Sequence, residues 1–281
     1  MNLRIVRKKI KSVKNVKKIT KAMQLMSAVK MKKAVSLEVE GRPYRDGLQD
    51  LIHTVAPSID TSFSPLFATQ AAPEAHDLVV VISANKGLCG AFHVNILKYL
   101  LKHIDLKRTE FVTVGSKGAA QITRFDRDLV ADFSIGNPST QVSAVFDLVL
   151  ERFLSKKYAS VKLLYTQYLS TSRSEVRLET LLPAAPPVTE RAASSSETIV
   201  EPDARTLVDA LIRSYVEERI RGALLSSQAV EHSARMVAMK NATDNATDVI
   251  YSLTLVGNKI RQAKITGELL DMITAKESVE Q

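Results

Sequence analysis

Apolar side chains recur at helical spacing along the first 56 residues, and lysines occupy many of the positions between them as far as Lys33. Positions three and four apart share one face of a helix, so this pattern predicts a helix with a narrow apolar stripe. No glycine occurs before Gly41 and no proline before Pro43, so one helix over 1–56 is predicted, with a possible bend at GRPY (41–44). The stripe consists of Val6, Ile10, Val13, Val16, Ile19, Met23, Met26 and Val29.

The C-terminal third has the same character. Asp203 is a candidate N-cap, and no proline follows it, so a helix over 205–275 is predicted, followed by a polar tail at 276–281. Apolar residues here alternate strictly in steps of three and four, which predicts a coiled-coil seam. That seam consists of Met239, Ala242, Ala246, Val249, Leu253, Val256, Ile260 and Ala263. The economical partner for this helix is the N-terminal one, packed antiparallel.

Between the helices, short β-branched runs alternate with amphipathic stretches, which predicts a compact α/β domain over 77–183 with a partly parallel sheet. The fold class is therefore mixed (α+β or α/β): a long antiparallel coiled coil plus a central Rossmann-like α/β domain. A Pro- and Ser-rich linker or foot segment follows at 184–204. The predicted strands are 77–83, 110–115, 160–170 and 174–183, and the predicted helices are 91–104, 116–125 and 139–157.

The net charge of +9 comes from one segment. Residues 1–37 hold twelve of the 39 Lys and Arg residues and no acid, which leaves 27 basic and 30 acidic groups in the rest. The lysine face is either a solvated face of the coiled coil or a surface for an acidic partner. A protein partner is favoured over nucleic acid, because no aromatic residue occurs before Tyr44. An amphipathic basic start is also typical of a transit peptide, but here the pattern continues unbroken into the following helix.

Few residues are candidates for chemistry. ANKGLCGAF (84–92) places Lys86 before its glycines, whereas a phosphate-binding loop needs a Gly-Lys-Ser/Thr ending; a tight turn is favoured there and at GSKG (115–118). Cys89 is the single cysteine, which excludes an internal disulfide and favours a reducing compartment. We predict no catalytic residue, no metal site and no cofactor. No apolar run approaches the roughly 20 residues that span a bilayer.

Several segments together resemble the γ subunits of F-type ATP synthases, in the same order and across essentially the whole chain. The two terminal groups are the specific ones. The matching segments are KKITKAMQLMSAVKMKKA (17–34), GLCGAF (87–92), GSKG (115–118), EPDARTLVDALIRSYVEERI (201–220), SARMVAMKNATDN (233–245) and NKIRQAKITGELLDMI (258–273).

The resemblance implies a non-catalytic rotor subunit that couples ion flow to the conformational cycling of the catalytic β subunits. Its implied partners are the α and β subunits, the ε subunit and the c-subunit ring, with no nucleic acid. The implied location is peripheral, on the cytoplasmic face of a bacterial inner membrane. Two other classes stay open on the residues alone: a coiled-coil binding module without rotary function, and an enzyme in the α/β domain.

The resemblance also carries residue roles to matching positions. Contacts with the α/β ring are implied for Met23, Lys30, Lys33, Lys86, Cys89, Arg235, Arg261, Gln262, Thr266 and Glu268. Glu201, Pro202 and Asp203 are implied to lie at the foot, near the c ring and ε. The family's small apolar tail is replaced here by TAKESVEQ (274–281), so we expect the last five or six residues to be disordered or to meet polar partners.

Overall fold

The computed structural model describes residues 2–55, 64–67, 76–127, 129–136, 140–184 and 204–277. Two helices account for most of them: α1 (Leu3–Val55, 53 residues) and α5 (Ala204–Glu277, 74 residues). The mixed fold class, with long terminal helices and a central sheet domain, is confirmed. Helix α5 ends two residues beyond the predicted helix end at 275, and residues 278–281 lie outside the described part.

The chain divides into two compact units. The first unit combines the two ends of the chain, up to Ser27 and from Arg235 onward, and therefore contains only segments of α1 and α5. The second unit runs from Ala28 to Ala234 and contains the remaining segments of both helices together with the sheet.

The sheet of the second unit has the strand order β3-β2-β1-β4-β5. The first four of these are parallel, and β5 pairs antiparallel with β4. The strands are β1 (His76–Ile82), β2 (Thr109–Val114), β3 (Leu129–Asp132), β4 (Tyr158–Tyr168) and β5 (Ser174–Leu182). The sequence analysis missed β3, because four residues at a half-exposed sheet edge carry too little alternation to be recognised.

Three helices connect the strands: α2 (Phe92–His103), α3 (Ser116–Arg124) and α4 (Val142–Leu154). We call the sheet with these three helices the α/β domain. Alternate residues of β1 enter opposite cores: Val80 packs with α4 and the first part of α5, and Val81 packs with α2. Burial on both faces explains why this strand reads as an unbroken apolar run. Helix α5 supplies Val208, Ile212, Val216, Ile220 and Leu224 to the first core, so it is part of the hydrophobic centre of this unit.

Helix α1 continues through Pro43, which lies inside it. Two residues after Pro43, the Arg45 guanidinium donates to the Glu38 carbonyl oxygen at 3.0 Å and to the Glu38 carboxylate at 2.9 Å. A Cβ atom on Gly41 would lie 2.9 Å from Nη1 of Arg45, and one on Gly222 of α5 would lie 3.3 Å from its Cζ. Gly41 and Gly222 therefore leave room for the Arg45 side chain between α1 and α5. This side chain lies close to the turn of α1 in which Pro43 has no backbone N–H to donate.

Candidate functional site

Helices α1 and α5 pack side by side and antiparallel in the first unit. The hydroxyls of Thr20 and Thr243 are 2.8 Å apart, and a Cβ atom on Gly257 would lie 3.5 Å from Cγ1 of Val6. The residue numbers of the contact partners therefore decrease along α5 as they increase along α1, as antiparallel packing requires. The seam residues, buried or partly buried, are Val6, Ile10, Val13, Lys17, Thr20, Gln24 and Ser27 on α1, and Met239, Thr243, Ala246, Ile250, Leu253, Gly257 and Ile260 on α5.

The predicted seam of α5 is correct at the five positions that are buried or partly buried and wrong at the three that are exposed: the former are Met239, Ala242, Ala246, Leu253 and Ile260, and the latter are Val249, Val256 and Ala263. Met239 and Ala246 are buried as predicted, but Val249 and Val256 are 45% and 39% exposed. Thr243 is buried, because its hydroxyl donates to the Met239 carbonyl at 2.8 Å and meets Thr20 across the seam. Polar or small residues such as Thr243 and Gly257 thus hold some of the seam positions, where a search for apolar spacing does not find them.

The apolar stripe of α1 also leaves the seam. After Val13 it advances mainly in steps of three, and each such step falls about 60° short of a full turn. Val16, Ile19 and Met26 are consequently 49%, 59% and 61% exposed, while Thr20 and Ser27 are buried. The stripe and the seam coincide only near the start of the helix.

The coiled coil of the first unit therefore mixes polar with apolar residues in its seam and leaves several large apolar side chains exposed among the charged ones on its outer surface, where a coiled coil that stands alone in water is polar. We call this surface the outer apolar face. Large exposed apolar side chains at several positions of both helices are typical of a surface that meets a partner. Its members are Ile5, Val16, Ile19, Leu25 and Met26 on α1, and Val237, Val249, Tyr251, Leu255 and Val256 on α5.

Beyond the seam, α5 continues as an extension. The register places Leu3 opposite Ile260, and α5 runs on to Glu277. The apolar side chains of the extension are about half exposed: Ile265, Leu269, Leu270, Met272 and Ile273.

Four residues predicted to contact the ring lie in this extension, and all are exposed: Arg261, Gln262, Thr266 and Glu268. The Glu268 carboxylate is 3.3 Å from Lys264, and the Thr266 hydroxyl donates to the Gln262 carbonyl at 3.0 Å. These contacts are local to the helix, so the charged and amide ends of the side chains face outward.

The other predicted contact residues of the long helices have mixed environments. Lys30 and Lys33 are exposed on α1, and Met23 is partly buried. Arg235 is buried, with 7% of its surface exposed.

The loop after β1 carries Lys86 and Cys89. Lys86 is exposed, whereas Cys89 is 2% exposed, packs in the core with α2, and has its thiol 3.9 Å from the Lys86 carbonyl oxygen. Leu88 and Gly90 both have positive φ (61° and 57°), which gives the loop its tight course. The cysteine thiol belongs to the core, and Lys86 and Leu88 are the side chains of this loop that reach solvent.

The GSKG sequence forms the start of α3, and its amides are already bonded. Asn85 accepts a hydrogen bond from the Ser116 N–H at 2.8 Å, and Ser83 Oγ accepts one from the Gly118 N–H at 2.8 Å. The Lys117 N–H donates to the Ala84 carbonyl at 3.2 Å. The amides that would cradle a phosphate are satisfied within the fold, so the interpretation as a structural turn is confirmed.

Polar contacts that the sequence analysis missed join α5 to the α/β domain. Glu179 of β5 accepts a hydrogen bond from the Tyr165 hydroxyl at 2.7 Å and pairs with Arg219 of α5. Burial, together with the neighbouring Glu179 carboxylate, raises the pKa of the Tyr165 phenol far above its ordinary value. Ser143 of α4 donates to Glu217 at 3.0 Å. Such residues have no sequence signal, because each depends on a partner far along the chain.

A cavity of about 380 Å³ lies where β1, β2 and β4 begin, beside the end of α2. Its central carboxylate, Asp77, is 2.5 Å from Lys162 and accepts a hydrogen bond from Ser160 at 2.6 Å. Two of the charged groups in its lining, Asp77 and Lys162, therefore pair with each other. Among the described residues, no group of three or more His, Cys, Asp or Glu is arranged to hold a metal ion. None of the described helices combines the length and apolar character that crossing a bilayer requires.

The predicted foot residues Glu201, Pro202 and Asp203 lie outside the described residues. The last described residue before them is Ala184, and α5 begins just after them at Ala204.

Comparison with known proteins gives matches along nearly the whole chain. The family model described as ATP synthase matches residues 2–279. The ATP synthase gamma chain of Akkermansia muciniphila is 34% identical, and that of Geobacter metallireducens is 36% identical, each match covering 99% of both chains. The gamma chain of Dehalococcoides mccartyi is 37% identical over 97% of both chains.

Solved structures of ATP synthases also contain chains that match this one. A chain of the central stalk and c-ring of the Tetrahymena thermophila mitochondrial ATP synthase is 26% identical, with a TM-score of 0.60, covering 80% of this chain and 99% of that one. A chain of the OSCP/F1/c-ring structure of the Euglena gracilis mitochondrial ATP synthase has a TM-score of 0.68 at 17% identity, covering 99% of this chain and 94% of that one. The second likeness concerns the fold alone.

Proposed function

Since this chain belongs to the family of ATP synthase gamma chains, we propose that it turns as the central-stalk rotor inside a ring of α and β subunits. It is a non-catalytic subunit of a membrane-bound ATP synthase complex. Its proposed partners are the α and β subunits around the coiled coil, and the ε subunit and c-subunit ring at the foot. Ion flow through the c ring turns the rotor for ATP synthesis, and ATP hydrolysis turns it in the opposite direction.

The observation that carries this proposal is the outer apolar face of the first unit. Ile19 and Met26 are about 60% exposed, while Thr20 and Ser27 beside them are buried in the seam. Each apolar side chain that a partner covers gains roughly 1.5–3 kcal/mol when fully buried. A ring that encloses the coiled coil covers all sides of it at once, which suits an apolar surface spread over both helices.

Rotation follows from asymmetry. A pair of unlike helices presents a different surface to each of three β subunits, so each β subunit adopts a different conformation at any moment. Turning the rotor exchanges those surfaces, and the conformational populations of the β subunits shift in sequence. The rotor must therefore touch the ring through contacts that are weak and repeatable.

Arg261, Gln262, Thr266 and Glu268 provide contacts of that strength. All four are exposed on the extension of α5, and Glu268 already has an exposed partner in Lys264. Exposed ion pairs contribute about 0–1 kcal/mol each, so partners can exchange as the rotor turns. Met23, which is partly buried, and Arg235, which is buried in this chain, are the less exposed members of the proposed contact set.

The basic residues Lys30, Lys33 and Lys86 are proposed to face acidic segments of the β subunits. All three are exposed. The segment 201–203, which holds two carboxylates, is proposed to lie at the foot near the c ring and ε. This chain is proposed to lie peripherally on the cytoplasmic face of a bacterial inner membrane, held there through its partners.

The experiment is ATP hydrolysis by purified α and β subunits with and without this chain. We expect a stable complex with higher turnover, and lower turnover when Arg261→Ala is combined with Glu268→Ala. The matched control combines Lys98→Ala with Glu175→Ala, which removes two exposed charges of the α/β domain. Failure of the chain to join α and β subunits of its own organism, together with salt-dependent DNA binding, would refute the rotor function.

A further inference from the structure

The carboxyl ends of β1 and β4 meet at the centre of the sheet, where the chain turns to opposite sides. From β1 it proceeds outward to β2 and β3, and it then returns to β4 on the other flank. In open parallel sheets such a switch point forms a crevice where ligands usually bind. Here the crevice is occupied by α5: Val230 packs in the same core as Val81, Cys89 and Leu164.

Strand β4 extends beyond β1 at this point. The last β1–β4 pair is Val81 with Leu164, whereas β4 continues to Tyr168. The backbone N–H groups of Thr166 and Tyr168 therefore lie at an edge that β1 no longer covers. A buried N–H without an acceptor is strongly unfavourable, so this edge needs a substitute for the missing strand.

Two consecutive serines of α5 take the place of the missing strand. The Thr166 N–H donates to Ser227 Oγ at 2.9 Å, and the Tyr168 N–H donates to Ser226 Oγ at 2.7 Å. Two turns later, Ser233 donates to the carbonyl oxygen of Thr171 at 2.7 Å. We call these three residues the serine contact; each is less than 10% exposed.

The serine contact also has a defined place along the chain. It occupies the last residues of α5 before the first unit begins at Arg235. Hydrogen bonds are directional, whereas apolar packing tolerates sliding, so these bonds fix the rotation of the helix about its own axis relative to β4.

We propose that Ser226, Ser227 and Ser233 are positioning residues that lock α5 to the free edge of β4, so that torque applied to the α/β domain passes into the helix without slip. The proposal rests on the rotor function proposed above. It assigns to the switch-point crevice of this domain a mechanical role in place of ligand binding.

The test uses the complete enzyme in membrane vesicles, assembled with the wild-type chain or with the Ser226→Ala/Ser227→Ala variant. ATP synthesis driven by an imposed ion gradient applies torque across the serine contact. ATP hydrolysis by the soluble complex of this chain with α and β subunits does not. One hydrogen bond of ordinary net strength corresponds to a population change of about fivefold. We therefore expect the double variant to lose synthesis several-fold and to keep soluble hydrolysis near the wild-type rate.

Two further variants separate a mechanical role from a purely structural one. Ser226→Thr keeps the hydroxyl and is expected to retain synthesis, and Ser252→Ala makes the same chemical change at an exposed position of α5. Hydrogen exchange at the Thr166 and Tyr168 amides, measured on the full-length chain, reports whether the bonds are lost in the double variant.

The outcomes are distinct. Normal synthesis by a variant whose two amides exchange fast would overturn the proposal, as would an equal loss of synthesis and soluble hydrolysis. A wild-type chain that fails to activate hydrolysis at all would instead refute the rotor function on which the proposal rests.

Discussion

Replacing Gly118 with alanine tests the account of the GSKG turn. A Cβ atom at this position would lie 2.6 Å from Oγ and 3.1 Å from Cβ of Ser83, which belongs to the buried end of the sheet. The hydroxyl cannot swing away freely, because it donates to the Gly115 carbonyl at 2.9 Å and accepts from the Gly118 N–H at 2.8 Å.

The magnitude follows from three contributions. Overpacking a close-packed site costs about 1–3 kcal/mol. Losing a buried hydrogen bond of the Ser83 hydroxyl costs about 0.5–1.5 kcal/mol. Alanine is favoured over glycine in a helix by roughly 0.5–1 kcal/mol, which offsets part of the loss. We expect Gly118→Ala to lower the free energy of unfolding by about 1–3 kcal/mol.

Gly47→Ala is the matched control. Gly47 is also helical, is exposed, and has no atom within 4 Å of a Cβ added to it. Only the helix preference acts there, so stability should rise by up to about 1 kcal/mol. Replacing glycine with alanine is therefore expected to lower the free energy of unfolding at Gly118 and to raise it at Gly47.

The assay is urea denaturation of the full-length chain, with hydrogen exchange of peptides from β1 and α3 to locate the effect. Removing the obstructing hydroxyl gives a second check: Ser83→Ala combined with Gly118→Ala should be more stable than the sum of the two single changes predicts. If Gly118→Ala matches the wild type, or if the double variant shows no such recovery, the steric explanation of the motif is wrong.

Three further predictions concern the seam, Arg45 near Pro43, and the decrease in stability at acid pH. Thr20→Val should lower the thermal stability of the coiled coil by about 1 kcal/mol, whereas adding Thr243→Val should cost little more; additive losses in circular dichroism melts would contradict this. Arg45→Met removes the more buried of the two arginine partners of Glu38 and leaves only the exposed Arg42, so urea denaturation should show a loss of about 1–3 kcal/mol, and a neutral outcome would refute the role of the Arg45 ion pair. Burial alone would raise the pKa of the Glu110 carboxyl, but hydrogen bonds from Lys157 and its tyrosine neighbour lower it overall. Its contribution to stability is therefore full above the ordinary pKa and is lost as pH falls through the folded pKa, so Glu110→Gln should flatten the decline in stability between about pH 5 and pH 3; an unchanged slope would contradict it.

The helices of the α/β domain show how far local patterns reach. The predicted helix at 91–104 appears as Phe92–His103, and the predicted strand at 110–115 appears as Thr109–Val114. In each of these elements the spacing of the apolar residues matches the period of the helix or strand that forms. A short stretch of sequence is therefore enough to predict the element. Strand β3 lacks such a repeat and was missed.

The seam of the coiled coil shows where local patterns stop. Val249 and Thr243 lie six residues apart on one helix, and apolar spacing favours the valine. The structure buries the threonine instead, because Thr20 on the opposite helix offers a hydroxyl at 2.8 Å and removes the penalty of burying one. Identifying the correct face requires the partner helix.

The candidate site was predictable in the same uneven way. The contact role proposed for exposed residues of the α5 extension, such as Arg261 and Glu268, comes from resemblance, since their spacing alone is that of any solvated helix. The serine contact was not found at all. Ser226 and Ser227 matter only because β4 extends beyond β1 and leaves two amides without a strand to bond.

The sequence by itself determined the long terminal helices, the central sheet domain between them and the family to which the chain belongs. Each rests on periods and segments that are complete within a short stretch of chain. Only the tertiary structure decided which stripe of each helix is buried, which loop amides are already satisfied, and how α5 is held against the sheet. These depend on pairs such as Thr20 with Thr243, or Tyr168 with Ser226, whose members lie far apart in sequence and acquire their meaning only when folding brings them together.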